Sequence, residues 1–257
     1  PKRGDVLQAR EGRQALSRAL GRGEVVGELH GALRPWERML PPTVPSLIAE
    51  EPATATEPES AEALLDRAGW TDSDGNGIRQ KGKEGLRLTL EVSAVPSDYP
   101  ETLGTDYGPL AQRIASEWRT VGVDVSVRRD SWEELAHRVL DRHDFDVALL
   151  SLSTDADPDQ SYLWTTQAYT EGLNAGQYSS RDVDAIYATA ARRQDWQSRL
   201  ELYTKIERRL ALDVPAIPIG VTQAVLVYNT RLVGASPDYW SALQHTGVER
   251  WWVRDGQ

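Results

Sequence analysis

Three short apolar segments, separated by two helical patterns, occupy residues 86–152 and constrain the fold more than any other feature of the sequence. The first alternates apolar and polar residues in "LRLTLEVS" from Leu86, the second alternates valine from Val123, and the third spans Phe145–Leu152. A period of two is typical of strands, whereas the segments between them repeat apolar residues every three or four positions. Strand, helix, strand, helix, strand predicts a sheet with parallel members and right-handed crossovers.

Further helical patterns flank this segment on both sides. Residues 10–30 predict a helix that two glycines interrupt, and the proline-rich residues 32–60 predict a long loop lying over the rest of the molecule. Ser60 is placed to cap a short helix. Residues 181–192 and 196–212 predict two helices that cover a core, followed by short strands and an aromatic tail.

Composition excludes several classes of function. Lys and Arg number 29 against 39 Asp and Glu, a net charge of -10, which argues against nucleic acid or an anionic membrane as partner. Cysteine is absent, which removes disulfides, thiolate nucleophiles and cysteine-based metal sites. The sequence contains neither a run of about 18 apolar residues nor an apolar signal segment at its N-terminus. These features suit a cytosolic protein or a mature or trimmed piece of a longer one.

Several common catalytic motifs are missing from the sequence. It contains no HExxH, phosphate-binding loop or GxSxG pattern, and its histidines form no pair at helical spacing. Asp155, Asp157 and Asp159 are two residues apart in one loop and do not flank a bond as hydrolytic carboxylates do. We interpret them as capping residues of a turn. We therefore predict no catalytic residues, no metal site and no cofactor.

The segment "DSDGNG" from Asp72 to Gly77 resembles the first half of a calcium loop. Asp72, Asp74, Asn76 and Gly77 occupy loop positions 1, 3, 5 and 6, but Lys83 stands where the bidentate glutamate belongs. Aspartate, asparagine and glycine in this order are also typical of a tight turn between a helix and a strand. We favour the turn, and a weak calcium ion stays an alternative.

Six segments, taken together and in order, resemble the extracellular solute-binding proteins of ABC importers, family 5, of the oligopeptide- and dipeptide-binding type. They are "REGRQALSRALGRGEVVGEL", "AEALLDRAGWTDSDGNGIR", "IASEWRTVGVDVSV", "HDFDVALLSLSTDADPD", "GLNAGQYSSRDVDAIY" and "RLELYTKIERRLALDVPAIPI". The resemblance implies an α/β fold, a periplasmic-binding-protein type II-like lobe with a mixed, largely parallel sheet flanked by helices.

The resemblance also implies a domain organisation. Members of the family have two lobes that close around the ligand, and this chain resembles the C-terminal half. Residues 1–57 would form a lead-in helix and proline-rich loop, and residues 58–257 the C-terminal solute-binding lobe. The partner lobe and a secretory or lipoprotein signal are expected upstream, which places the protein in the periplasm or at the outer face of the membrane.

Binding residues follow from the same resemblance. Asp155 matches the family aspartate that pairs with the free α-amino group of a peptide, a charge-assisted hydrogen bond. Ser153 and Thr154 would offer their backbone to an extended ligand. Trp132 matches a tryptophan that lines the pocket. Further candidates for lining the cleft are Tyr107, Trp164, Asn174 and Tyr178.

The resemblance predicts a substrate-binding component, not an enzyme, that acts as a monomer and delivers a peptide or similar small solute to a membrane permease. Peptide-binding members commonly carry tryptophan at the position of Leu152, so a sugar or a nickel chelate stays open as the solute. Two other classes also stay open. One is a transcriptional regulator that uses the same module to sense a solute, and the other is a hydrolase that uses the Asp155 loop.

Overall fold

Short helices and a single strand begin the computed structural model, which describes residues 5–40, 59–95, 105–152, 157–222, 229–234 and 250–254. The helices are α1 (Asp5–Gln8), α2 (Arg10–Arg18) and α3 (Arg22–Gly27), and strand β1 (Leu33–Pro35) follows. The break between α2 and α3 confirms the predicted interruption. Apolar side chains of these helices are buried in the larger of two hydrophobic cores, called here the main core, together with residues of the central sheet. The N-terminal segment therefore shares a core with the residues that follow it.

A helix and a small hairpin come next. Helix α4 (Ala61–Arg67) begins after Ser60, whose hydroxyl accepts a hydrogen bond from the Ala63 amide at 3.2 Å, as the capping prediction requires. Strands β2 (Gln80–Lys81) and β3 (Glu84–Gly85) pair antiparallel. The acidic turn lies between α4 and this hairpin.

The parallel sheet at the centre of the fold confirms the predicted topology. Strand β4 (Arg87–Ser93) lies between β5 (Asp124–Asp130) and β6 (Val147–Leu149), and both pairings are parallel. Strand β6 is shorter than the predicted 145–152, because its ladder with β4 covers only three residue pairs. Before that ladder begins, the carboxylate of Asp146 accepts the Thr89 amide at 2.9 Å in place of a backbone carbonyl.

Crossover helices connect these strands. Helix α5 (Gly108–Thr120) buries Leu110, Ile114 and Trp118, the face that the sequence predicts. Helix α6 (Trp132–Ala136) begins at the Ser131 cap and continues as a π-helical turn, His137–Asp141. The predicted helix through Leu140 is therefore confirmed in extent, with its second half wound more widely.

A second, smaller core lies under the C-terminal helices. Helices α7 (Ser161–Trp164) and α8 (Ala168–Glu171) precede the longer pair α9 (Arg181–Ala190) and α10 (Trp196–Asp213). Buried side chains of α9 and α10 pack with Leu40, so the described residues that follow β1 lie over this core. The rest of the predicted loop, residues 41–58, falls outside the described residues. Both predicted C-terminal helices are confirmed within two residues of their bounds.

Two small antiparallel pairs complete the described structure. Strand β7 (Gly220–Thr222) pairs with β1, and β8 (Leu232–Val233) pairs with β9 (Trp252–Val253). Trp252 and Val253 are 55% and 58% exposed. Of the helices described, none is long and apolar enough to cross a membrane.

One arginine joins the two cores. The Arg13 guanidinium donates to the carbonyls of Asp213 and Val214 at the end of α10, and to those of Leu7 and Gln8 in α1. Burial lowers the pKa of Arg13, although the nearby Asp213 acts in the opposite direction. The N-terminal helices are thus fixed to the end of the last helix.

Candidate functional site

The carboxyl edge of the parallel sheet is the part of the fold that gathers predicted site residues. Because β4, β5 and β6 are parallel, the chain leaves all three strands at the same edge. In open α/β sheets, ligands bind outside the carboxyl ends of the strands. Side chains that follow these strands are therefore the ones placed to contact a ligand.

Trp132 lies at this edge, directly after β5. The Ser131 hydroxyl accepts the Glu134 amide at 3.2 Å, which starts helix α6 and sets the turn between strand and helix. The Trp132 side chain is 57% exposed, although tryptophan is a residue that proteins usually bury. The structure therefore places a large apolar surface in solvent at the edge where ligands are expected.

Tyr107 reaches the same edge from the segment between β4 and α5. The carboxylate of Asp106 accepts hydrogen bonds from the Gly108 amide at 2.8 Å and from the Arg129 guanidinium, near the end of β5, at 2.7 Å. Tyr107 itself is half-buried against the main core. Because Arg129 bonds to Asp106, the adjacent Tyr107 lies near the last residues of β5, as Trp132 does.

The predicted amine-binding segment falls outside the described residues. Ser153, Thr154 and Asp155 all belong to the interval 153–156. Leu152 immediately before the interval is 47% exposed.

Asp157, immediately after the interval, is anchored to helix α10. One nitrogen of the Arg199 guanidinium lies 2.8 and 2.7 Å from its two carboxylate oxygens and 2.7 Å from the Tyr203 hydroxyl. The same carboxylate accepts the Asp159 amide at 3.0 Å, and the carboxylate of Asp159 accepts the Ser161 amide at 2.9 Å. Both aspartates therefore act as turn residues, as the sequence indicates.

The remaining candidates lie in the segment that packs on the second core. Asn174 is buried, and its side-chain amide donates to the carbonyls of Thr165 and Tyr178 and accepts the Tyr178 amide. The neighbouring Ala175 carbonyl contacts His143, which lies before β6 and so towards the opposite edge of the sheet. These contacts favour a structural role for Asn174, and its ligand contact stays a prediction.

Trp164 and Tyr178 also have internal partners. The Trp164 indole donates to the Gln160 side chain at 3.0 Å, and the Tyr178 hydroxyl donates to Asp213 at 2.8 Å. Burial, together with the bond to Asp213, raises the pKa of Tyr178 to about 12, so its hydroxyl stays protonated. Among the described contacts, none brings these two residues to the edge that carries Tyr107 and Trp132.

Sequence reasoning missed two arginines that organise this region, Arg138 and Arg199. Each is one charged residue among many on an amphipathic helix, and one of its carboxylate partners is distant in sequence. Arg199 follows Asp157 by 42 residues, and Arg138 follows its buried partner Glu91 by 47. The local signals are the glutamate four residues before Arg138 and the tyrosine four residues after Arg199, a spacing that is common in helices.

The acidic turn uses its oxygens internally. The carboxylate of Asp72 accepts the Gly77 amide at 3.0 Å, and that of Asp74 accepts the Asn76 backbone at 3.2 Å and its side chain at 2.9 Å. The Asn76 oxygen accepts the Ile78 amide at 2.8 Å. This pattern favours the interpretation as a turn. Across the described residues, no group of three acidic, histidine or cysteine side chains is arranged to hold a metal ion.

Comparison with known proteins identifies the class to which this fold and edge belong. The model of the bacterial extracellular solute-binding proteins, family 5 Middle, matches residues 3–174. The chain therefore belongs to this family, and membership assigns it to solute-binding proteins rather than to enzymes.

Individual relatives are consistent with that assignment. The oligopeptide-binding protein AppA of Bacillus subtilis is 23% identical over 97% of this chain and 45% of its own length. A dipeptide-binding protein and a nickel-binding periplasmic protein, both from Escherichia coli, are 25% and 24% identical over 81% and 86% of this chain. These stretches cover 36% and 41% of the two relatives.

The fold is that of a type II periplasmic binding protein. The structure of Bacillus subtilis AppA in complex with a nonapeptide superposes with a TM-score of 0.68 at 21% identity, over 98% of this chain and 49% of that structure. The chain therefore spans about half the length of the protein whose fold it shares.

Proposed function

We propose that this chain forms the C-terminal lobe, residues 58–257 with their lead-in segment, of the substrate-binding component of an ABC importer. Its task is to capture a peptide or similar small solute and deliver it to a membrane permease. The observation that carries the proposal is the position of Trp132, an indole 57% exposed at the carboxyl edge of a parallel sheet. A solute bound there would cover an apolar surface that the fold leaves in water.

The edge offers complementary chemistry for a peptide. Trp132 supplies an apolar face, and the half-buried Tyr107 adds a second aromatic side chain from the neighbouring segment. The backbone of Ser153 and Thr154 would pair with an extended ligand, and the Asp155 carboxylate would pair with the free α-ammonium group. Arg199 supports this arrangement, because it fixes Asp157 two residues after the proposed amine-binding aspartate.

A second lobe is part of the proposal. Ligand contacts from both lobes exist together only in a closed state, so binding would shift the population towards closure, which the permease would recognise. We propose a monomer in the periplasm or outside the cell, tethered by a lipoprotein anchor. The relatives support this location by name, because one of them is described as periplasmic.

A nickel chelate is the second candidate solute. The E. coli relative that covers 86% of this chain is a nickel-binding protein, and Leu152 stands where peptide binders commonly carry tryptophan. An exposed indole and a single carboxylate would also suit a compact chelate. The two candidates differ in whether recognition requires a free α-amine.

Calorimetric titration of the full chain with trialanine and with N-acetyl-trialanine tests the proposal. We expect trialanine to bind and N-acetyl-trialanine not to bind. Asp155→Asn should abolish the binding of trialanine. Trp132→Ala should weaken binding about tenfold or more, the scale of one aromatic contact. Trp252→Ala is the matched control, because that indole is 55% exposed on the β8–β9 pair. Equal effects of the two tryptophan variants would refute the assignment of the site, and equal binding of both peptides would refute the role of Asp155.

A further inference from the structure

The two faces of the central sheet differ in polarity. Leu88, Leu90 and Val92 of β4 point to one face and are buried in the main core. The alternate residues of β4 point to the other face, where Glu91 lies opposite Arg128 of β5, and Ser93 lies opposite Asp130. Glu91 is only 2% exposed. A carboxylate this deeply buried requires a cation and hydrogen bonds, because ionised groups are costly to remove from water.

Arg138 supplies that cation from the π-helical turn. Its Nη1 atom lies 2.8 Å from Glu91 Oε2 and 2.6 Å from Asp130 Oδ2, and its Nη2 atom lies 3.0 Å from Glu134 Oε1. Arg128 adds a longer contact of 3.4 Å to the other oxygen of Glu91. The Arg138 side chain is only 13% exposed. One guanidinium thus joins the middle of β4, the end of β5 and the first turn of α6.

Two of the carboxylates that Arg138 contacts flank Trp132 in the chain. Asp130 stands two residues before Trp132, and Glu134 stands two residues after it. Trp132 is itself 57% exposed, so packing of its own side chain contributes little to holding it in place. Its position depends on the turn between β5 and α6, and Arg138 bonds to both sides of that turn.

We infer that Arg138 is the positioning residue that holds Trp132 at the ligand-binding edge. This inference rests on the proposed function of that edge. The Arg138 Nη1 atom bonds to Glu91 and Asp130 on the sheet, and its Nη2 atom bonds to Glu134 at the start of α6. An indole held in this way meets the solute without first losing conformational freedom, which lowers the cost of binding.

The chain contains a matched control. Arg142 lies one turn further along and bonds to the same carboxylate of Glu134 at 3.2 Å, but it is 48% exposed. It makes no described contact with Glu91 or Asp130. Replacing Arg142 therefore removes a cation and a contact to Glu134 without releasing the end of β5.

The direct test is ¹⁹F NMR of the full chain labelled with 5-fluorotryptophan, without any ligand. Trp132→Phe assigns the Trp132 resonance among the nine tryptophans. We expect Arg138→Lys to shift and broaden that resonance while the others stay in place, since an ammonium retains a charge for Glu91 but cannot bridge the three carboxylates. Arg142→Lys should leave the Trp132 resonance unchanged. An unchanged Trp132 resonance in Arg138→Lys would overturn the inference.

A second variant separates positioning from folding. If Arg138→Lys does not fold, the double variant Glu91→Gln, Arg138→Gln removes the buried charge pair together and supports the same measurement. Titration with trialanine should then give a Kd at least fivefold higher for the Arg138 variant than for Arg142→Lys. If the unmodified chain binds no trialanine, the proposed peptide function fails, while the ligand-free ¹⁹F measurement still decides the role of Arg138.

Discussion

Replacing Asn174 with alanine would show whether this predicted site residue serves the fold or the ligand. Its side-chain nitrogen donates to the carbonyl oxygens of Thr165 at 3.0 Å and Tyr178 at 2.7 Å. Its oxygen accepts the Tyr178 amide at 2.9 Å. The residue is 4% exposed, so water has little access to replace these partners in the folded state. On this geometry, Asn174 stabilises the loop between α8 and α9.

The expected magnitude follows from those three hydrogen bonds. Each contributes about 1 kcal/mol net, and a buried group left without a partner costs about 1–3 kcal/mol. The Thr165 carbonyl retains the Ala168 amide at 3.1 Å, so the loss falls mainly on the two backbone groups of Tyr178. We expect Asn174→Ala to lower the free energy of unfolding by about 2–4 kcal/mol.

Urea unfolding followed by circular dichroism measures this change. Asn174→Asp keeps the size and the acceptor but turns a carboxylate towards two carbonyls, so it should destabilise at least as much as alanine. Gln194→Ala, at an exposed position between α9 and α10, should stay within about 0.5 kcal/mol of the unmodified chain. Unchanged stability in Asn174→Ala, combined with lost affinity for trialanine, would refute the structural role.

Three further predictions concern other parts of the molecule. Arg199→Met removes the anchor of Asp157 and should raise the Kd for trialanine about fivefold or more in calorimetry. The freed residues must be ordered again when the peptide binds, which costs about 1–2 kcal/mol of backbone entropy per residue. An unchanged Kd would contradict this role of Arg199. Burial raises the pKa of Glu207 above its ordinary 4.5, although the Leu40 and Met39 amides oppose the shift. The folded state therefore binds the Glu207 proton more tightly than the unfolded state, and the free energy of unfolding falls as pH rises through the folded pKa. In urea titrations at several pH values, Glu207→Gln should make this fall shallower. The same pH dependence in Glu207→Gln and the unmodified chain would refute the prediction. Millimolar calcium should leave the Tm unchanged, because Asp72 and Asp74 already accept amides of their own turn; a clear rise would restore the calcium interpretation.

The central sheet could be predicted from the sequence because its signals are local. Alternating apolar residues mark β4 and β5, and Gly122 ends the helix between them with a φ of +87°, a conformation that suits glycine. The shortness of β6 could not be predicted in this way. Just before β6 begins, the Asp146 carboxylate accepts the Thr89 amide of a neighbouring strand, a contact between residues far apart in sequence.

The candidate site was only partly predictable, for the same reason. Trp132 was proposed from resemblance, and the structure places it at the carboxyl edge, where β5 leads at once into a capped helix. Asn174 and Tyr178 were proposed from resemblance, whereas the structure bonds them to each other and to Asp213. Whether a polar side chain faces a ligand or its own loop depends on packing that no local pattern encodes.

Native mass spectrometry of the gently purified full chain, followed by denaturation to identify whatever is released, shows which solute the protein carries. We expect a series of short peptides with free α-amines, which are lost in Trp132→Ala but not in Trp252→Ala. A single released metal chelate or sugar would contradict the peptide assignment. A bare protein mass that persists when a peptide mixture is added would contradict solute binding at this edge.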